Sequence, residues 1–161
     1  MPASPCGCIA PAFRSFPLMP MFRQLTQSFQ RRADLLLEGR YEVLTRDYVL
    51  PLPVQLGDCA IRIDSADEMA VHLRRHHVAL MRRSTTDMRP QIIAVELPRG
   101  AGLQRVWLRW HMTGAAGPMV SQAVYGCQPA DQGGRIEWMC YTRLAMPEFG
   151  RSATHRRLVV R

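Results

Sequence analysis

LQRVWLRWHMTGAAGPMVSQAVYGC, residues 103–127, decides the fold. Val106, Leu108, Trp110 and Met112 fall on one side of an extended chain, and Arg105, Trp107, Arg109 and His111 on the other. A period of two marks a strand with one face buried. TGAAGP supplies the hairpin turn and MVSQAVYGC the returning strand. Pairing Met112 with Met119 sets Trp110 opposite Ser121, Leu108 opposite Ala123 and Val106 opposite Tyr125. After the loop QPADQGG, RIEWMCYTRL (residues 135–144) forms another strand. Pairing Cys127 with Ile136 and keeping strict alternation puts Tyr125 opposite Trp138 and Ala123 opposite Cys140.

Two faces follow from this register. One collects Val106, Leu108, Trp110, Met112, Tyr125, Ile136, Trp138 and Cys140, and is core-like. The other holds Trp107, Val124, Met139 and Tyr141 as an apolar patch among Arg109, His111 and Glu137, which is the make-up of a partner surface.

Upstream, QIIAVEL (residues 91–97) is also a strand, and before Pro90 the period changes to that of a helix. Ser65 with Glu68 three residues on is a capping box, opening the helix that contains AVHLRRHHVALMRR, residues 70–83. On the helical wheel Ala66, Met69, Ala70, Leu73, His77, Leu80 and Met81 share the dry stripe, while His72 and His76 lie at its edge or outside. His72 and His76 have the one-turn spacing of a shared metal site, but no third ligand and no H-E-x-x-H pattern accompanies them, so no metal is expected. His77 faces inward and is the candidate acid or base, since imidazole titrates near neutral pH; a core histidine held by a backbone carbonyl is the plainer account. Arg74, Arg75, Arg82 and Arg83 read as a solvated face, ahead of a nucleic-acid grip.

Earlier still, CAIRI (59–63) is a short strand after a Gly57-Asp58 turn, and VLPLPVQL (49–56) is an extended segment or edge strand in which two prolines forbid helix. YEVLTRDY is a short helical piece. Phe22, Leu25, Phe29, Ala33 and Leu36 build the apolar stripe of a first long helix, closed by Gly39.

The 161 residues suit one domain, with residues 1–20 as a disordered leader or misassigned start and 147–161 as a basic tail. The net charge is +8, and every basic side chain other than histidine is arginine. Five cysteines, an odd number without zinc-site spacing, read as reduced thiols in a cytoplasmic protein. No apolar run is long enough to span a membrane. P-loop, G-x-S-x-G and dinucleotide glycine patterns are missing, and no cofactor is expected.

The segment FRQLTQSFQRRADLLLEGRYEVLTRDYVLPLP, the capped helix from Ser65 and the strands from Gln91 to Leu144 together resemble the nuclear transport factor 2-like superfamily, with its SnoaL-like and ketosteroid isomerase-like members. The resemblance covers residues 21–146. It implies an α+β cone: a curved antiparallel sheet wraps the long first helix, two further helices complete the fold, and the open end is a pocket. It also implies a homodimer through the outer sheet face, built here on Trp107, Val124, Met139 and Tyr141. The isomerase-like enzymes carry a carboxylate base beside a proline in the extended segment. The matching position here is Leu52, before Pro53, and the first helix has no tyrosine before Tyr41. Asp47 is the nearby carboxylate, expected at a helix end in water. The expected activity is therefore binding of a small apolar or aromatic molecule among His77, Trp110, Tyr125, Trp138, Cys140 and Leu52, with no evident catalytic set. The alternatives are an isomerase, dehydratase or cyclase using His77, with Tyr125 as hydrogen-bond donor, and an arginine-driven protein or nucleic-acid module.

Overall fold

The computed structural model describes residues 18–98, 100, 102–129, 134–146 and 149. Of the expected leader, residues 1–20, only 18–20 are described, and of the expected tail, residues 147–161, only Phe149; the rest lie outside the described residues. Helix α1 (Leu18–Leu37) starts three residues before the expected domain edge. It ends at Gly39, whose φ of +70° lets the Gly39 and Arg40 amides turn back onto the carbonyls of Leu36 and Leu35. A one-turn helix α2 (Tyr41–Thr45) follows, then the hairpin β1 (Leu52–Leu56) and β2 (Cys59–Ile63), helix α3 (Ala66–Arg82), and four strands. These are β3 (Thr85–Glu96), β4 (Gln104–Gly114), β5 (Gly117–Cys127) and β6 (Ile136–Arg143).

The six strands form one sheet in the order β2-β1-β6-β5-β4-β3. All neighbours are antiparallel except β1 and β6, which run parallel through Val54↔Met139 and Leu56↔Tyr141. The proline-rich β1 therefore sits inside the sheet, not at its edge. Leu52, Val54 and Leu56 point into the core while Pro53 faces out, which preserves the alternation the prolines left legible. β3 begins at Thr85, six residues before the expected start, and keeps Pro90 within it; as an edge strand it can leave one side of its backbone unpaired.

The β4–β5 register is the expected one at every pair, from Met112↔Met119 to Val106↔Tyr125. The β5–β6 register starts as expected at Cys127↔Ile136, then departs. Trp138 stands opposite Gly126, Met139 opposite Tyr125 and Tyr141 opposite Ala123, because Glu137 is an extra residue on β6. One added residue reverses every side chain beyond it. Met139 and Tyr141, expected on the outer face, are buried inside, while Trp138 and Cys140, expected inside, face out. Gly126 is the physical reason this works: a Cβ there would overlap the Trp138 indole, which lies across the bare glycine.

The core lies between the inner sheet face and the helices, and the result is the α+β cone around α1. Phe29, Ala33 and Leu36 of α1 meet Val106, Leu108, Trp110, Tyr125 and Ile136 of the sheet. Ser65 caps α3 by accepting from the Glu68 amide, and the Glu68 carboxylate accepts from the Asp64 amide. The buried arc of α3 is Met69, His72, Leu73, His76, Ala79 and Leu80. It is turned from the expected stripe: His72 and His76 are inside, and Ala66 and Met81 are exposed. The cause is Phe149, which follows β6 and covers that side of the helix with its own ring.

Candidate functional site

At the centre of the cone is a cavity of about 30 Å³, room for about two waters. Three helical segments supply one wall: Phe29, Arg32, Ala33 and Leu36 from α1, Leu44 from α2 with Tyr48 just after it, and His76 from α3. The sheet supplies Met88, Trp110, Tyr125, Ile136 and Tyr141.

Polar groups in this wall sit side by side. The Trp110 indole N–H donates to the Tyr125 hydroxyl at 2.9 Å, and the Tyr141 ring stands edge-on to Tyr125 at 6.5 Å. The Phe29 ring lies 5.0 Å from Tyr125 and 6.0 Å from Trp110, closing the aromatic wall from the helix side. Tyr48 and His76 line the same cavity. Burial raises the Tyr48, Tyr125 and Tyr141 hydroxyls above the usual phenol range. Burial, helped by the neighbouring His77, lowers His76 to about 4. All four side chains are therefore uncharged at neutral pH, since desolvation penalises the charged form of each.

The one charge in the wall is Arg32. Its side chain is only 8% exposed and its guanidinium is held from three sides. It donates to Ser28 Oγ at 2.7 Å and to the Gly134 carbonyl at 3.0 Å, and lies 3.2 Å from the Asp47 carboxylate. Asp47 also takes Arg31 at 2.8 Å. Asp47 is thus no free carboxylate in water, as the sequence suggested, but the counter-charge that makes a buried arginine tolerable. Arg32 and Phe29 also border a second cavity of about 50 Å³ toward the start of α1, with Leu25, Gln104 and Cys127. There the Gln104 carboxamide oxygen is buried without a partner, and burial pushes the Cys127 thiol up to about 11, so it stays protonated.

Of the six expected pocket residues, Trp110 and Tyr125 line the central cavity. Leu52 is fully buried in β1 but is not part of the lining. Trp138 and Cys140 lie on the far sheet face. His77 also misses the cavity: its Nδ1 is 2.8 Å from the Leu36 carbonyl and its ring is edge-on to Tyr41 at 5.7 Å. It joins α3 to the end of α1, and the histidine at the cavity is His76. Of the expected outer patch, Trp107 and Val124 are half-buried and directly paired on that face, while Tyr141 belongs to the cavity and Met139 to the core. Arg32, Tyr48 and Phe149 carried no sequence signal beyond their type; each is placed by chain segments distant in sequence. Among the described residues no group of three or more His, Cys, Asp or Glu is placed to hold a metal ion, and no helix is long and apolar enough to cross a membrane.

A helix-wrapped, open six-stranded sheet with a cavity at the centre of the cone defines the nuclear transport factor 2-like fold, and solved structures agree. An NTF-2 like protein of unknown function from Shewanella oneidensis MR-1 superposes with a TM-score of 0.59 at 10% identity, over 75% of this chain and 98% of the other. A Catenulispora acidiphila protein in complex with S-DNPA matches with a TM-score of 0.55 at 12% identity, over 76% and 94%. A ketosteroid isomerase-like protein from Erwinia carotovora atroseptica SCRI1043 matches with a TM-score of 0.51 at 14% identity, over 82% and 98%. No protein-family model and no curated protein matches the sequence.

Proposed function

We propose that the protein binds a small, uncharged, apolar or aromatic molecule in the cone pocket. The observation that carries this is the pairing of an aromatic wall with two polar, uncharged side chains, Tyr48 and His76, lining one cavity. A hydrogen bond from a ligand's own polar group to either side chain would add about 0.5–1.5 kcal/mol to binding. The complex of the Catenulispora acidiphila protein with a small molecule supports the reading by analogy of fold. An acid–base role for His77 has no support in the geometry, because its ring is committed to the Leu36 carbonyl.

A thermal-shift screen with uncharged aromatic alcohols and ketones tests the reading. A ligand held at about 100 times its Kd adds about 2.7 kcal/mol to folding stability and must raise the Tm. Tyr48→Phe and His76→Leu should each weaken the hits that carry a polar group and spare those that do not. If no compound raises the Tm, or both variants bind every hit like the wild type, the reading falls.

A second reading concerns the outer sheet face. Ala94, Trp107, Val124 and Cys140 form one cross-strand row there, with Trp138 beside it. Such a row of apolar side chains on a sheet face supports a homodimer through this surface. Its residues are Trp107, Val124, Trp138 and Cys140, in place of the set expected from strict alternation.

A further inference from the structure

We propose that the Phe149 ring is a built-in occupant of an aromatic subsite, and that a planar, uncharged aromatic ligand takes its place when the cone pocket fills. The inference rests on the ligand-binding reading above and adds the ligand's ring class and its way in.

Phe149 is 3% exposed and comes from beyond the last strand, yet it sits against α3 and β6 together. Its ring stacks on His76 at 4.5 Å and 22°, tilts against His72 at 5.0 Å, and meets Tyr141 edge-on at 6.3 Å and 82°. His76 and Tyr141 also line the central cavity. They are therefore a shared partition, with Phe149 on one side and the empty space on the other. The cavity alone is about 30 Å³, whereas cavities known to take benzene measure about 150 Å³. A ring can enter only if a side chain leaves. Phe149 is the side chain whose departure vacates a ring-shaped space already faced by three aromatic or imidazole surfaces. Stacked and edge-on partners favour another planar ring over an aliphatic one. The ligand is uncharged because the partition offers no counter-charge, and Arg32 is already matched by Asp47.

The test uses the full chain and Phe149→Ala, with Phe149→Leu as a second variant should the alanine protein not fold. The first readout needs no ligand: NMR titration of His76. Opening the stack admits water, so the His76 pKa should rise from about 4 toward the ordinary 6.5. An unmoved titration would overturn Phe149 as the seal. The second readout is the affinity for 2-naphthol, 2-naphthoate and decahydro-2-naphthol. If closure by Phe149 competes with the ligand, its removal tightens 2-naphthol binding about ten-fold or more. Naphthoate and the saturated alcohol should stay weak in both proteins. Equal 2-naphthol affinity in wild type and variant, weaker binding in the variant, or naphthoate binding as tightly as 2-naphthol would overturn the subsite. If His76 titrates upward in the variant but 2-naphthol binds neither protein, the ligand-binding reading fails and takes the aromatic subsite with it. Phe149 then remains only a structural seal.

Discussion

His76 stands where helix α3, the Phe149 ring and the central cavity meet. It stacks on Phe149, meets Tyr141 edge-on at 6.3 Å, borders the cavity and has His77 as its chain neighbour. Its pKa near 4 in the folded state lies below the 6.5 of an exposed imidazole. Between those values the unfolded chain binds a proton that the folded chain refuses, so folding stability must fall as the pH drops from about 6.5 to about 4. Full protection is present above 6.5, and below 4 the loss is complete. A shift of this size corresponds to about 3 kcal/mol. Urea unfolding at a series of pH values should show the loss in the wild type and a flatter profile in His76→Leu across the same window. Equal slopes in the two proteins would show that His76 is not the group responsible. Tyr125 gives a second residue-scale expectation. Tyr125→Phe leaves the Trp110 N–H without its acceptor inside the core. It should cost about 1–3 kcal/mol by chemical denaturation, whereas a cost within error would mean water replaces the hydroxyl.

At the scale of elements, the sequence disclosed most where two neighbouring strands share an unbroken alternation. The β4–β5 hairpin could be paired residue by residue from Val106, Leu108, Trp110 and Met112 alone, because a strand with one buried face tolerates no slip. The same logic misassigned β6, since alternation counts residues and a bulge adds one without changing composition. The signal was Gly126, a glycine inside a strand, which often marks a close approach of another group. Helix α3 shows a similar limit. Ser65 and Glu68 announced its start correctly, but the wheel could not foresee that Phe149 would cover the His72 and His76 side. The candidate site was accordingly half legible: Trp110 and Tyr125 were recovered, whereas His76 and Tyr141 were placed on the wrong faces. Gly126→Ala tests the account of the bulge. The added methyl must displace the Trp138 indole, and the cost should be about 1–3 kcal/mol, the usual range for overpacking. Trp138→Ala combined with Gly126→Ala should cost less than the sum of the two single changes, because losing the indole removes the clash that the added methyl creates. Strict additivity in urea-unfolding free energies would rule out that contact as the cause.

For the whole molecule, the deciding question is what the outer sheet face meets, and the sign of a salt dependence answers it. Trp107 lies between Arg105 and Arg109 along β4, and Arg143 on β6 is cross-strand from Gln122, the partner of Arg109. Arg105 is paired with Glu96 at 3.4 Å, but two copies brought together through this face would still bring the Arg109 and Arg143 of each together in a chain whose net charge is already +8. Their apolar rows attract and their charges repel, and salt screens only the second, over a distance of about 10 Å at 0.1 M. A homodimer through this face should therefore tighten as sodium chloride rises from about 0.05 to 0.5 M, as read by sedimentation velocity at micromolar concentration. An arginine-driven grip on nucleic acid must do the opposite, because phosphate contacts release counterions and weaken steeply with salt. Trp107→Glu sharpens the distinction. In the single chain the new carboxylate has Arg105 and Arg109 as same-face neighbours and stays solvated, so the fold should keep its Tm within a few degrees. In a dimer it would be buried against the partner's apolar row, where an unpaired charge is costly. The expected result is a folded monomer at every salt concentration. A wild type that is itself monomeric throughout, or a variant that still sediments as the dimer, would remove the outer face as the self-association surface.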